Sequence, residues 1–227
     1  MKKDLEILET SPLFAGLTRQ ELEALLPALR ARHVRGDKGE YLLHAGEVIH
    51  SLGVVLSGAA LVIQEDFWGS RSLLAALGPG SCFAETFACA PGVPLNVSVV
   101  CDAPTTALFL DVGELLAGRG GPGTGKLEQN LLREMARKNV AFSRKLTHLG
   151  QRTTRAKLLS YLSEESQRQG SHEFDIPFSR QQLADYLLVE RSGLSQELSK
   201  MQAEGLLEFR KNHFLLKVLS HSGPDIV

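Results

Sequence analysis

The sequence predicts an α+β chain: a β-rich N-terminal domain, one long helix, and a small C-terminal domain of helices closed by a strand hairpin. Three observations predict it. Short β-prone runs alternate with glycine-containing breaks from Arg30 to Asp111, and apolar residues spaced alternately by three and four follow from Lys126 to Gly150. The charge also reverses between these regions: residues 1–125 carry 9 Lys and Arg against 14 Asp and Glu, a net −5, whereas residues 126–217 carry 16 against 11, a net +5. At 227 residues the chain suits two modest domains, each able to bury its own core. The expected boundaries are 1–117 for the β-rich domain, 118–150 for a hinge and the long helix, and 151–227 for the C-terminal domain.

Taken in order, Leu5, Leu8, Leu13, Leu17, Leu22, Leu25, Leu26 and Leu29 predict short helices, with Thr18 ahead of Glu21 at capping-box spacing. The runs Tyr41–Leu43, Val54–Leu56, Leu61–Ile63 and Val97–Val100 predict strands, separated by Gly39, Gly46, Gly53, Gly58, Gly69 and the Gly78-Pro79-Gly80 turn. Many short strands imply a closed roll or a sandwich, because a lone hairpin cannot bury both faces. Five glycines and a proline between Gly118 and Gly125 predict a turn that serves as a hinge. In the helix that follows, Leu132, Met135, Asn139, Phe142, Leu146 and Leu149 form an a/d seam. Such a seam packs either on its own domain or on a second copy; a basic module beyond it and a polar Asn139 at an a position favour a parallel dimer. Thr153-Thr154-Arg155 opens a further helix carrying Leu158, Leu159, Tyr161 and Leu162.

Composition excludes several classes. With 43% hydrophobic and 22% charged residues the chain reads as an ordinary globular protein. Met1-Lys2-Lys3 is followed by Asp4 and Glu6 rather than an apolar core, which predicts a cytoplasmic location. The longest apolar run, Val54 to Ile63, is interrupted by Ser57 and Gly58 and is about half of a membrane span. Cys82, Cys89 and Cys101 are odd in number and lack CxxC spacing, so reduced buried thiols are expected instead of disulfides, a zinc site or a cluster. No catalytic or metal-ligating set stands out.

The C-terminal domain carries the functional signal. Ser179 can cap a helix whose inward positions are Leu183, Ala184 and Leu187; Leu188-Val189-Glu190 makes a turn; and a second helix from Arg191 buries Leu194, Leu198 and Met201. Its outward residues, Arg191, Ser192, Ser195, Gln196 and Ser199, are small or hydrogen-bonding, as a helix entering a major groove requires. Gly205 ends that helix, Leu206–Phe209 and Phe214–Lys217 read as two strands, and Arg210–His213 reads as a basic tip that can reach phosphate. This is a winged helix-turn-helix. Arg191 can pair with guanine, Gln196 with adenine, and Glu190 can accept from cytosine or cap the helix. Arg180, Lys200, Lys211 and His213 are candidates for phosphate contact.

Over nearly its whole length the chain resembles the cyclic-AMP receptor protein and fumarate–nitrate regulator (CRP/FNR) family of transcription factors. The segments that carry the resemblance are Lys38-Gly39-Glu40, Ala45-Gly46-Glu47, Leu56-Ser57-Gly58, Leu77-Gly78-Pro79-Gly80 with Phe83-Ala84-Glu85, and above all Ser179 to Ala184 through Leu206. The resemblance implies a double-stranded β-helix of the cyclic-nucleotide-binding type, a dimerisation helix, and a homodimer that reads an imperfect palindrome in double-stranded DNA, with RNA polymerase as a further partner. By position, Glu190, Arg191, Ser192 and Gln196 match the family's base-reading places.

The effector pocket departs from the pattern. Glu85 matches the family's ribose-holding glutamate, but Leu95 and Asn96 stand where its Arg-Ser phosphate pair belongs, and no arginine lies between Arg71 and Arg119. A buried phosphate without a cation is poorly compensated, which argues against cyclic AMP. The N-terminal cysteines of the iron–sulfur branch are absent; a haem stays open, since His33, His44, His50 and Cys82 lie in the sensor, but no pattern among them selects a haem ligand. By elimination the expected effector is a small, mostly apolar or aromatic molecule near Phe83, Glu85, Thr86, Leu95 and Asn96 and against the helix around Asn139 and Phe142. Two alternatives stand beside this reading: a constitutive DNA-binding protein whose roll is only a scaffold, and a metal-dependent β-roll enzyme, for which His44 and His50 lack the usual close spacing.

Overall fold

The N-terminal leucines form helices before any strand appears. α1 spans Lys2–Thr10, a 3-10 turn spans Pro12–Phe14, and α2 spans Arg19–Ala28. The capping box is present: the Thr18 hydroxyl accepts from the Glu21 amide while the Glu21 carboxylate accepts from the Thr18 amide, which contributes about 1 kcal/mol. The computed structural model describes residues 2–65, 71–119 and 121–217; Met1, Gly69, Gly120 and the tail after Lys217 lie outside the described residues.

Among the described residues eight strands follow: β1 (Arg32–Gly36), β2 (Tyr41–Leu43), β3 (Ser51–Ser57), β4 (Ala60–Glu65), β5 (Arg71–Leu77), β6 (Cys82–Phe83), β7 (Ser98–Cys101) and β8 (Thr105–Asp111). They pair antiparallel into two four-stranded sheets, ordered β1-β8-β3-β6 and β2-β7-β4-β5. Between the sheets lie Leu42, Leu43, Val55, Leu77, Phe83, Val99, Ala107 and Phe109, with the Phe83 and Phe109 rings edge to face at 5.5 Å. Of the two predicted closures, this is the roll. β3 is buried on both faces: Val55 points into the roll, while Leu52, Val54 and Leu56 pack with Leu8, Leu22 and Leu25 of the N-terminal helices. That double burial is why its sequence runs apolar without alternation. Gly53 is required here, because a Cβ at that position would stand 2.1 Å from the Phe83 ring.

α3 (Glu85–Ala88) and α4 (Val112–Leu116) edge the roll, and α5 runs Thr124–Leu149, two residues earlier at its start than the periodicity suggests. Contacts divide the chain into two units, Met1–Phe142 and Ser143–Val227, so the division falls inside α5 instead of before or after it. In the first unit, Leu127 and Leu131 join the core beneath the N-terminal helices. Buried Asn130 donates to the carbonyls of Leu13 and Ala15, and Lys126 pairs with Glu21. These inward residues were not singled out by the seam pattern.

The second unit contains α6 (Thr154–Gln169), β9 (Glu173–Asp175), α7 (Arg180–Leu187), α8 (Arg191–Ala203), β10 (Leu207–Arg210) and β11 (His213–Leu216). β9 was not predicted; it completes a three-stranded sheet in the order β10-β11-β9. The end of α5 packs into this unit through buried Lys145, whose ammonium lies 4.2 Å from the centre of the Tyr186 ring, and buried His148, which bonds Ser160 and pairs with Glu164. Burial lowers the pKa of Lys145 to about 8 and holds His148 below its ordinary value despite Glu164.

Candidate nucleic-acid interface

The two helices of the motif are fixed from three directions. Ser179 caps α7 in a second capping box with Gln182. Leu183, Ala184 and Leu187 of α7 and Leu194, Leu198 and Met201 of α8 are fully buried, as the periodicity predicted. Leu188 closes α7 in a left-handed conformation, φ 52°, and the Lys157 ammonium donates to the carbonyls of Leu187 and Leu188. Arg155 of α6 reaches across to Glu197 and Glu204, holding α8 at its middle and its end. Neither Lys157 nor Arg155 was picked out from the sequence, because long-range partners leave no local spacing.

That scaffold leaves one face of α8 in solvent. Glu190, Arg191, Ser192, Gln196, Ser199 and Lys200 are exposed and Ser195 is half-buried. Arg191 and Lys200 make no ion pair among the described residues. Ser199 returns its hydroxyl to the Ser195 carbonyl at 3.0 Å. Glu190 precedes the helix without capping it through its side chain, which leaves its carboxylate outward. A row of this kind, an arginine, small hydroxyls and an amide, offers the donors and acceptors that base edges require.

The wing differs from expectation in detail. Arg210 pairs with His213 in the sheet, so the turn is Lys211-Asn212 rather than Arg210–His213, with Lys211 at φ 55°. Lys211 and Arg210 are exposed. His213, expected at phosphate, instead lies 3.2 Å from Asp175 and 3.1 Å from Glu173; these two carboxylates raise its pKa and absorb its charge. Arg180, also expected at phosphate, stacks over the Phe209 and Phe214 rings and donates to the Lys211 carbonyl. The sequence hides both sets of partners, because β9 and the hairpin register bring them from distant parts of the chain.

In the first unit the predicted effector residues differ in exposure. Phe83 and Leu95 belong to the roll core, while Thr86, Asn96, Asn139 and Phe142 are exposed. Glu85 is 4% exposed and already partnered: Lys138 of α5 donates to its carboxylate at 2.9 Å and to the Cys82 carbonyl at 2.7 Å. Ala84, just before it, is left-handed at φ 62°. The Cys82 thiol, 3.6 Å from the same ammonium, is pushed up to about 11 chiefly by burial. A polar cleft of about 500 Å³ lies elsewhere on the roll, among Arg35, Asp37, Glu40, Ser57, Thr105 and Thr106. His44 and His50 are exposed, and the described residues contain no group of three or more His, Cys, Asp or Glu side chains able to hold a metal. No helix among the described residues is long and apolar enough to cross a membrane.

Along α5 the outward seam is shifted from the predicted one. Leu132 and Leu146 are each 69% exposed, Val140 52% and Phe142 49%, and Asn139 is exposed between them. Met135 packs partly against the N-terminal core and Leu149 is half-buried, so these two predicted positions turn away from the exposed stripe and Val140 enters it.

Comparison with known proteins gives a matching pair of domains. Residues 34–117 match the model of the cyclic nucleotide-binding domain, and residues 156–221 match that of the Crp-like helix-turn-helix domain. A relative from Lacticaseibacillus casei, described as the probable transcriptional regulator flp, is 27% identical over 203 residues, covering 87% of each chain. Among solved structures, the regulator CLP of Xanthomonas campestris, described as c-di-GMP responsive, is 18% identical with a TM-score of 0.70 over 89% of this chain and 100% of that one. FixK2 from Bradyrhizobium japonicum is 20% identical with a TM-score of 0.63, over 82% of this chain and 92% of its own. At these identities the structures establish the shared fold.

Proposed function

The chain belongs to the CRP/FNR family of DNA-binding transcription regulators, and from that premise we propose that it works as a homodimer, paired through the exposed stripe of α5, that reads an imperfect palindrome. The observation that carries this reading is the outward row of α8: Arg191, Ser192 and Gln196 stand in solvent on a helix whose opposite face is fully buried. Arg191 pairs bidentately with guanine, Gln196 with adenine, and Lys200, Lys211 and Arg210 take phosphates. Two-fold pairing puts the recognition helices roughly 34 Å apart, one turn of DNA. RNA polymerase is a further partner in this reading. A family of regulators, not enzymes, leaves the metal-enzyme alternative without support.

The effector of this reading is a small molecule other than cyclic AMP. Leu95 is core and Asn96 is uncharged, so the phosphate places offer no cation. A gating ligand must bind one arrangement of the dimer better than another, since equal affinity shifts nothing. The constitutive alternative is favoured by one observation: Glu85 is already neutralised by Lys138, an internal link between roll and helix that needs no ligand. Fluorescence-anisotropy titration against duplexes from upstream of the protein's own gene, at two salt concentrations, with and without small-molecule cell extract, separates the readings. Palindrome-dependent binding that needs extract supports gating; binding indifferent to extract supports the scaffold; no sequence preference in any condition removes Arg191 and Gln196 as base readers.

A further inference from the structure

Arg180 stands at the first position of α7, where its charge faces outward in sequence but not in the fold. Its guanidinium carbon lies 4.9 Å from the centre of the Phe209 ring and 5.7 Å from that of Phe214, and Nη2 donates to the Lys211 carbonyl at 2.9 Å. Phe209 and Phe214 are cross-strand partners on the two arms of the wing, and Lys211 is the left-handed residue of its turn. The neighbouring turn residue is anchored separately: Asn212 Nδ2 donates to the Ile176 carbonyl at 3.1 Å, and the Ile176 amide donates back to the Asn212 carbonyl at 2.9 Å. A planar cation held over two rings and bonded to a carbonyl gives up those contacts if it turns to a phosphate. Its half-buried place is unfavourable for a charge, and burial lowers its pKa accordingly.

We propose that Arg180 is a positioning residue: it fastens the wing tip to the first helix of the motif, so that Lys211 meets the DNA backbone in fixed register with the base-reading row of α8. This rests on the reading of Lys211 as a phosphate contact. The wing is thereby built as a continuation of α7. Lysine is a poor substitute, since a compact ammonium cannot stack over both rings while pointing a fork at the carbonyl.

The test uses the full-length protein and the duplex it prefers in the titration above, with a shuffled duplex of equal length, from 50 to 200 mM salt, a range suited to reading phosphate contacts. Lys211→Gln lowers the salt slope by about one per wing. Arg180→Lys, which keeps the charge, weakens operator binding about fivefold in the wild-type background, and less than about twofold when Lys211 is already Gln, because the contact it positions is gone. Phe209→Leu removes one ring but leaves Arg180 able to reach phosphate; it produces the same Lys211-dependent loss and covers the case in which Arg180→Lys fails to fold. The proposal is overturned if Arg180→Lys binds like wild type, if the Arg180 and Lys211 effects simply add, if Phe209→Leu binds like wild type, or if Lys211→Gln leaves the slope unchanged. If the wild-type protein itself shows no preference for any duplex, the DNA reading fails first, and that outcome is distinct from the others.

Discussion

Replacing Lys138 with Met leaves the Glu85 carboxylate, 4% exposed, without its cation beside the roll core. Breaking one side of a buried pair costs about 3–5 kcal/mol. The Lys138 side chain is 33% exposed, so water screens the pair and the expected cost is nearer 2–3 kcal/mol. The reverse change is milder. Glu85→Gln keeps an oxygen that can accept from Lys138 and removes the buried charge, so about 1 kcal/mol is expected. The double variant Glu85→Leu with Lys138→Met removes both charges, and its stability is expected within about 1 kcal/mol of wild type. The assay is native-state hydrogen exchange of the β3 and α5 amides, which reads the first unit without assuming that the two units unfold together. Equal costs for the two single variants, or a double variant whose loss is their sum, would refute the argument that Glu85 is a buried charge held by Lys138.

Gly53→Ala places a Cβ against the Phe83 ring and is expected to destabilise the first unit by about 1–3 kcal/mol or more, read by the same exchange experiment. For Lys145, whose pKa falls from 10.5 to about 8 on burial, the unfolded chain binds the extra proton between those values, so stability rises with pH across that window. The wild-type minus Lys145→Met difference in urea stability should change by up to about 3 kcal/mol between pH 8 and 10.5, and a flat difference contradicts it. Arg191→Ala and Gln196→Ala are each expected to cost about 1–3 kcal/mol on the preferred duplex and much less on a shuffled one, measured by anisotropy. Leu132→Asp with Leu146→Asp puts carboxylates into the exposed α5 stripe; if the proposed dimer forms through it, sedimentation shows that dimer dissociating at least about tenfold more readily, and a wild-type protein that sediments as a monomer refutes the pairing, while the corresponding change at Met135 acts mainly on the stability of the first unit.

Local spacing made much of this protein legible. The two capping boxes, the buried stripes of α7 and α8 and the glycine-punctuated strands are all written within a few residues of chain, because caps, helix faces and turns are short-range physics. The outward row of α8 followed directly from knowing which face was buried. Contacts between distant segments were not legible. The sequence marks Arg180 and His213 as cations but not the rings and carboxylates that occupy them; it marks Glu85 as polar but not the Lys138 that neutralises it, 53 positions away. The seam on α5 was half right for the same reason: a heptad pattern shows an apolar surface, but which part of it stays exposed within the first unit depends on where the N-terminal core lies against it, and that core takes in Met135 while Leu132 and Val140 stay in solvent. By itself the sequence determined the broad order of a strand-rich domain, a long helix and a helix-turn-helix, the resemblance that points to the family, and the outward row of α8, but not β9 or the register of the wing. Only the tertiary structure decided which charges remain available to a partner, since a charge's availability is set by whatever folds beside it and not by its neighbours in the chain.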